Sequence, residues 1–179
     1  MAQTADQLYE QVLVLRCQTG DDGAFAELVG RYDQRLTYYV RRLAGPRRDP
    51  EDILQDVWLT VYRKLPQLRD PRALAVWLYR IARTTTLAAL RVGRNWAELP
   101  QESVAPDKNG VEPVLSAEDA ARIQAALDRL RPEHREVLAL RFIEDMSYEQ
   151  IAAVVGCPLG TVRSRLHHAK EALQRELGG

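Results

Sequence analysis

Apolar residues follow the three- and four-residue spacing of amphipathic helices along most of this chain, and no window sustains the alternation typical of a strand. Glycines and prolines interrupt the pattern at Gly20, Gly45, Pro46, Pro66 and Pro71. Because both residue types end helices, these breaks divide the N-terminal half into four segments. The pattern predicts an all-α protein.

The first two predicted helices each present one apolar face. The first helix ends at Gly20, and its predicted buried face consists of Leu8, Val12 and Leu15. The second begins at Asp21 and Asp22, where carboxylates suit the positive end of a helix dipole. Its predicted core stripe is Phe25, Leu28, Val29, Tyr32, Leu36, Tyr39, Val40 and Leu43.

The third and fourth predicted helices complete an N-terminal domain. Asp49 precedes Pro50, and this pair, followed by acids, is typical of a capped helix start. The apolar face of the third helix is Ile53, Leu54, Val57, Trp58, Val61 and Leu65. The fourth helix spans residues 72 to about 94, and its apolar face is Leu74, Trp77, Leu78, Ile81 and Leu90.

Helical periodicity fails between residues 95 and 115, where three prolines occur and acids outnumber bases. This composition predicts a flexible, extended linker. We therefore divide the chain into domains at 1–94 and 117–179, with the linker at 95–116. Ser116 and Asp119 have the spacing of a capping box. The helices predicted for the second domain are 117–130, 132–142, 147–155 and 158–177.

The strongest local signal is a helix-turn-helix pattern that starts at Ser147. Ser147 and Gln150 have capping-box spacing, Gly156 permits a sharp turn, and Pro158 suits the start of a second helix. The predicted buried stripe of that second helix is Val162, Leu166, Ala169 and Leu173. The 100° step per residue then places on the outward face Arg163, Ser164, His167 and His168.

Such an outward face suits the major groove of DNA, where arginine can contact guanine edges and serine or histidine can form hydrogen bonds. Arg165 and Lys170 flank the buried stripe and are better placed for phosphates. Two other interpretations stay open. The face could be a solvated surface of a helical hairpin, or the histidines could bind a metal or act as a general base, although no carboxylate partner stands near them in the pattern.

Composition mainly excludes alternatives. A chain that is 46% hydrophobic and 28% charged is typical of a soluble globular protein, and a net charge of zero argues against bulk coating of nucleic acid. Cys17 and Cys157 indicate neither a disulfide scaffold nor a zinc site, so we expect reduced thiols. No signal peptide or membrane span is apparent, which favours a cytoplasmic protein.

Two blocks of the sequence resemble the extracytoplasmic-function (ECF) sigma factors, which direct bacterial RNA polymerase to promoters. The C-terminal block comprises residues 130–141 (LRPEHREVLALR), 146–152 (MSYEQIA) and 160–166 (GTVRSRL). It is similar to the family's region 4, which recognises the −35 promoter element. The N-terminal block, residues 49–58 (DPEDILQDVW) and 77–83 (WLYRIAR), is similar to region 2, which binds the polymerase core and melts the −10 element.

The resemblance implies partners for several groups of side chains. The residues expected to face the basic clamp helices of the polymerase core are Glu51, Asp52, Gln55 and Asp56. Without it, these acids could simply be favourable charges at a helix N-terminus. The residues expected to contact −10 DNA are Arg72, Tyr79, Arg80, Arg83, Thr84 and Arg91. The residues expected at the −35 element are Arg141, Arg163, Ser164, Arg165, His167, His168 and Lys170.

Captured bases need aromatic or polar partners, and two aromatic residues are available on the fourth helix. Trp77 lies in the apolar stripe and is interpreted as a core residue, so Tyr79 is the better exposed candidate. The sequence departs from the family at Thr84 and Ala88, where Asn and Asp are common, and at His168, where Arg is usual. These departures concern the base preference rather than the fold.

The family also implies promoter DNA and an anti-sigma factor as partners. It implies no enzymatic activity, no cofactor and no metal, and no triad or phosphate loop is apparent in the sequence. A dimeric helix-turn-helix repressor or activator is an alternative, but it would leave residues 49–58 without a role. A helical enzyme is a weaker one.

Overall fold

The structure, a computed structural model, describes residues 4–45, 49–94 and 117–178. Those residues form helices and no strands, which confirms the predicted all-α class with a four-helix domain and a helix-turn-helix domain. The chain divides into two units, Met1–Leu99 and Pro100–Gly179. The predicted linker at 95–116 and the cap at Ser116 lie outside the described residues, so the proposed domain boundaries stay a prediction.

The N-terminal unit contains four helices, and the second and third begin with the predicted acidic caps. The helices are α1 (Ala5–Gln18), α2 (Asp22–Ala44), α3 (Pro50–Lys64) and α4 (Leu74–Arg94). The Asp21 carboxylate accepts a hydrogen bond from the Ala24 amide at 2.9 Å, and Asp49 accepts one from the Glu51 amide at 2.9 Å. Short 3₁₀ turns at Leu65–Gln67 and Pro71–Ala73 connect α3 to α4.

Helix α2 lies at the centre of the N-terminal unit and packs against α1, α3 and α4. Most of its predicted stripe is buried, as are the predicted apolar positions Ile53, Leu54, Val57 and Val61 of α3. The ring of Tyr39 on α2 meets the ring of Tyr79 on α4 edge to face, with centroids 5.1 Å apart. Aromatic pairs prefer this arrangement, so the contact fixes which side of α4 faces the core.

Helix α1 turns a different face to the core from the one predicted. Its predicted buried residues are all exposed, at 55% for Leu8, 45% for Val12 and 53% for Leu15, whereas Leu13 and Val14 are fully buried. Polar contacts accompany the burial of these two residues. Tyr32 donates a hydrogen bond to Glu10 at 2.9 Å, and Gln18 donates one to the carbonyl oxygen of Leu68 at 2.8 Å.

The C-terminal unit is organised around its last helix. It contains α5 (Ala117–Arg129), α6 (Pro132–Leu138), α7 (Tyr148–Val155) and α8 (Leu159–Gly178). Helix α8 packs against α5, α6 and α7 through Val162, Leu166 and Ala169, which are buried as predicted. One helix predicted at 132–142 is instead α6 followed by a π-helical turn, Ala139–Ile143. Among the described residues, no helix is long and apolar enough to cross a membrane.

Candidate nucleic-acid interface

Local hydrogen bonds define the helix-turn-helix as predicted. The amide of Gln150 donates to the Ser147 hydroxyl at 3.2 Å, and the Ser147 amide donates to the Gln150 side chain at 2.8 Å, which closes a complete capping box at the start of α7. Gly156 ends α7 with a φ of +71°, in the left-handed region that favours glycine. The capping box and Gly156 therefore define the two ends of α7, and the turn after Gly156 leads into α8.

The four predicted side chains, Arg163, Ser164, His167 and His168, lie on the outward face of α8, and all are exposed. The Ser164 hydroxyl donates to the carbonyl of Thr161 at 3.1 Å and keeps its lone pairs available to another donor. Backbone and Ser147 hydrogen bonds, with a smaller contribution from the charge of Arg163, hold the pKa of Glu149 below its usual range.

The other basic residues expected at the −35 element differ in their exposure and contacts. Arg165 is half-buried, with Nη1 4.0 Å from the sulfur of Cys157, whereas Lys170 is exposed and its ammonium lies 5.3 Å from the centroid of the Phe142 ring. Arg141 is half-buried and donates to the carbonyl of Met146 at 2.9 Å. The Arg141 guanidinium therefore stabilises the turn that leads into α7.

A carboxylate stands beside the two histidines, contrary to the sequence interpretation. Glu171 lies one turn further along α8, with Oε1 3.3 Å from His167 Nε2 and Oε2 3.4 Å from His168 Nδ1. Because a helix turns 100° per residue, a residue at position 171 lies between the directions of 167 and 168. Glu171 follows His167 by four residues and His168 by three. The sequence therefore predicts the contact only when both intervals are considered together.

The third histidine of the chain was missed as a notable residue. His134 on α6 is 5% exposed, and its Nε2 lies 2.9 Å from a guanidinium nitrogen of Arg131. Burial, and then the positive charge of Arg131, lower the pKa of His134. His134 and His168 line a shallow pocket of about 420 Å³ together with Arg129, Arg131, Arg175 and Glu176.

On α4 the structure reverses the roles expected for the two aromatic residues. Tyr79 is 0% exposed, so the expectation that it is available to DNA bases is wrong. Trp77, expected in the core, is only half-buried. The exposed residues Arg80, Thr84 and Arg91 recur at helical spacing on the side of α4 that carries Trp77, and Tyr79 points the opposite way.

The other two arginines expected at −10 DNA differ from these. Arg83 is half-buried at the border of the exposed face. Arg72 precedes α4 and forms a two-point ion pair with Asp70, with nitrogen to oxygen distances of 2.9 and 3.1 Å. This pair lowers the pKa of Asp70. Contact of Arg72 with a phosphate would therefore compete with an existing partner.

A polar ridge and an apolar groove lie side by side on α3. The ridge comprises the four residues predicted there, all exposed: Glu51, Asp52, Gln55 and Asp56. Next to it, a groove of about 530 Å³ between α2 and α3 is lined by Phe25, Asp33, Thr37, Glu51, Leu54, Gln55, Trp58, Leu59 and Tyr62. Leu59 and Tyr62 are 53% and 55% exposed, and the Trp58 indole donates to Asp33 at 2.8 Å. Two separate helices form the walls of this groove, so no local sequence pattern predicts it.

Comparisons with known proteins match both units. A model of sigma-70 region 2 matches residues 28–96, and a model of sigma-70 region 4 matches residues 120–173. The chain is 34% identical over 185 residues to the ECF RNA polymerase sigma-E factor of Escherichia coli (strain K12), covering 97% of this chain and 96% of the relative. It is 33% identical over 184 residues to the RNA polymerase sigma-H factor of Pseudomonas aeruginosa, covering 96% and 95%.

Two solved structures share the fold. One is CnrH in complex with the cytosolic domain of CnrY, with a TM-score of 0.68 and 25% identity, covering 94% of this chain and 97% of that chain. The other is the sigma factor RpoE in complex with the anti-sigma factor NepR from Bartonella quintana, with a TM-score of 0.69 and 24% identity, covering 86% and 96%. The fold similarity therefore extends over both units.

Proposed function

The chain belongs to the ECF family of RNA polymerase sigma factors, and on that premise we propose how its surfaces divide the work of promoter-specific initiation. One observation carries the proposal. Regions 2 and 4 occur in one chain and in that order, and the two units expose an acidic ridge and a basic helix face respectively. The protein catalyses no covalent step, and differential binding of promoter over other DNA performs the selection.

Helix α8 enters the major groove at the −35 element. Its exposed side chains Arg163, Ser164, His167 and His168 contact base edges, since their donors and acceptors are accessible along one face. Arg165 and Lys170 contact the flanking phosphates. Arg141 acts through the turn before α7, where it already donates to the Met146 carbonyl, and its remaining donors can reach the DNA backbone.

The exposed face of α4 binds the single strand at the −10 element. Arg80 and Arg91 neutralise phosphates, and Thr84 contacts a base between them. Trp77, half-buried on the same side, provides the surface on which an unpaired base stacks. Arg83 and Arg72 lie at the border of this face, and Arg72 reaches DNA only by exchanging Asp70 for a phosphate.

The α3 ridge and the adjoining groove bind the polymerase core. Glu51, Asp52 and Asp56 attract basic side chains of the clamp helices, and Gln55 donates hydrogen bonds. Exposed Leu59 and Tyr62 then bury apolar surface at the same contact. Charge directs the approach of the partner, whereas the apolar groove supplies most of the lasting affinity.

An anti-sigma factor is a further partner in this proposal. CnrH, which is similar to this chain over both units, is bound to the cytosolic domain of CnrY. A protein that covers α3 or α8 here would block polymerase or promoter binding. The setting of these interactions is the cytoplasm, where polymerase and DNA are found.

Run-off transcription with purified core polymerase on a pool of genomic fragments tests the function. We expect transcripts that start at a defined set of promoters only when this protein is added. Polymerase pull-down separates a sigma factor from a free-standing repressor, because only the sigma factor must bind the core. Absence of both polymerase binding and promoter-dependent transcripts would reject the proposal.

Charge reversal on α3 tests the docking surface. Asp52→Arg should weaken core binding by at least about tenfold, because it replaces an attractive charge with one that repels the basic clamp helices. Glu118→Arg is the matched control, because Glu118 is also an exposed acid in the first turn of a helix. If the two variants bind the core equally well, the ridge is not the docking surface.

A further inference from the structure

We propose that His167, His168 and Glu171 form a binding site for a divalent transition-metal ion, and that an ion bound there releases α8 from promoter DNA. Among the described residues, this is the group of at least three His, Cys, Asp or Glu side chains whose ligand atoms converge. All of those ligand atoms lie within 4.8 Å of one another.

Two of the contacts in this group, one to each oxygen of the Glu171 carboxylate, have the ligand spacing of a tetrahedral ion. Bonds of about 2.0–2.1 Å from zinc to nitrogen or oxygen place neighbouring ligand atoms about 3.3–3.4 Å apart. Glu171 Oε1 is 3.3 Å from His167 Nε2, and Glu171 Oε2 is 3.4 Å from His168 Nδ1. A ligand nitrogen of His167 and one of His168 lie within 4.8 Å of each other, and all three side chains belong to the same helix, α8.

The donor set favours a borderline metal. Two imidazoles and one carboxylate suit Zn²⁺, Ni²⁺ or Cu²⁺ far better than Mg²⁺ or Ca²⁺, which prefer oxygen ligands. Three protein ligands leave a fourth position for water or another donor. The side chains of His167, His168 and Glu171 are 69%, 60% and 53% exposed, so an ion reaches them directly from solvent.

Occupation of this site has a consequence that rests on the proposed function of α8. His167 and His168 are two of the four side chains assigned to base edges. A coordinated ring nitrogen can no longer accept a hydrogen bond from DNA, and the shared contact with Glu171 holds the rings toward the carboxylate. Metal and the −35 element therefore compete for the same two histidines.

Direct titration of the full chain with Zn²⁺, using protein without a histidine tag, tests the site in the absence of DNA. The Cys17→Ser and Cys157→Ser background removes thiols that would also bind zinc. We expect His167→Ala and Glu171→Gln each to weaken zinc binding by at least about tenfold. Gln174→Ala, an exposed change on the same helix, is the matched control. Zinc affinity that is equal in all four proteins, or no zinc binding at all, overturns the site.

Promoter binding by the holoenzyme, with and without added Zn²⁺, tests the competition. Zinc should weaken binding of a −35 duplex by the original protein, and the ratio of affinities with and without zinc should approach one in Glu171→Gln. An equal zinc effect in both proteins overturns the competition while the titration still decides the site. Failure of the metal-free holoenzyme to recognise any promoter would instead count against the proposed function.

Discussion

Trp77 and Tyr79 have the reverse of their expected roles. Alanine substitutions at these two positions should therefore have different effects on stability and on DNA binding. Tyr79 is fully buried against Tyr39, and replacing such a ring by alanine costs about 3–5 kcal/mol. A domain of this size has about 5–15 kcal/mol of stability, so Tyr79→Ala should lose a large part of it. Trp77 is half-buried, and Trp77→Ala should cost about 1–2 kcal/mol of unfolding free energy.

Trp77→Ala, which costs less stability than Tyr79→Ala, should have a large effect on DNA binding. A stacked base contributes about 1–3 kcal/mol, so Trp77→Ala should weaken binding of a single-stranded −10 oligonucleotide about 5- to 150-fold. Trp77→Phe keeps an aromatic face and should restore most of that affinity. Urea unfolding of the free protein and fluorescence titration of the reconstituted holoenzyme measure the two quantities separately.

Three results would refute the reasoning. Trp77→Ala holoenzyme that binds the −10 strand like the original protein would remove Trp77 from the DNA face. A Tyr79→Ala protein with unchanged urea unfolding would contradict the burial of that ring. A loss of DNA affinity in Tyr79→Phe, which retains the buried ring, would return the DNA role to the hydroxyl of Tyr79.

Three further predictions concern the C-terminal unit. Arg163→Ala should weaken specific −35 binding by about 1–3 kcal/mol while leaving non-specific DNA affinity nearly unchanged, as mobility-shift titrations can show; equal losses on both DNAs would make Arg163 a phosphate contact. Gly156→Ala should destabilise the unit by about 1 kcal/mol in thermal unfolding, because the +71° φ strains any side chain although no atom lies within 4 Å of the added methyl; an unchanged melting temperature would contradict this. His134 has a lowered pKa in the folded state, so the stability it contributes is present above about pH 6.5 and is lost as the pH falls toward its folded pKa. Melting temperatures between about pH 7.5 and about pH 5.5 should therefore fall more steeply for the original protein than for His134→Gln, and equal slopes would exclude His134 as the cause.

Helix starts and turns were predictable because their signals are local. The capping boxes and prolines act within three or four residues, so Asp49 before α3 and Ser147 before α7 could be identified from spacing alone. The outward face of α8 followed as well, since its apolar stripe occupies one side and its polar residues the other. The α3 ridge was predictable from the same kind of pattern, and its four polar residues are all exposed.

The buried face of a helix was not predictable where apolar residues occur on several of its sides. Helix α1 carries leucines and valines on both sides, and periodicity does not say which side meets a neighbour. The side that packs buries Leu13 and Val14 and places Glu10 and Gln18 against partners on α2 and after α3, far away in sequence. The apolar groove between α2 and α3 was not predictable either, because its walls come from separate helices.

The sequence by itself determined the helical class, the two-part organisation, the helix boundaries to within a few residues and the family. These properties depend on short-range hydrogen bonds and on the 3.6-residue period, which the order of residues encodes directly. Only the tertiary structure decided that Trp77 rather than Tyr79 accompanies the exposed arginines, and that Glu171 lies between two histidines. Those placements depend on which surfaces pack and on side-chain rotamers within reach of one another, and no local pattern fixes either.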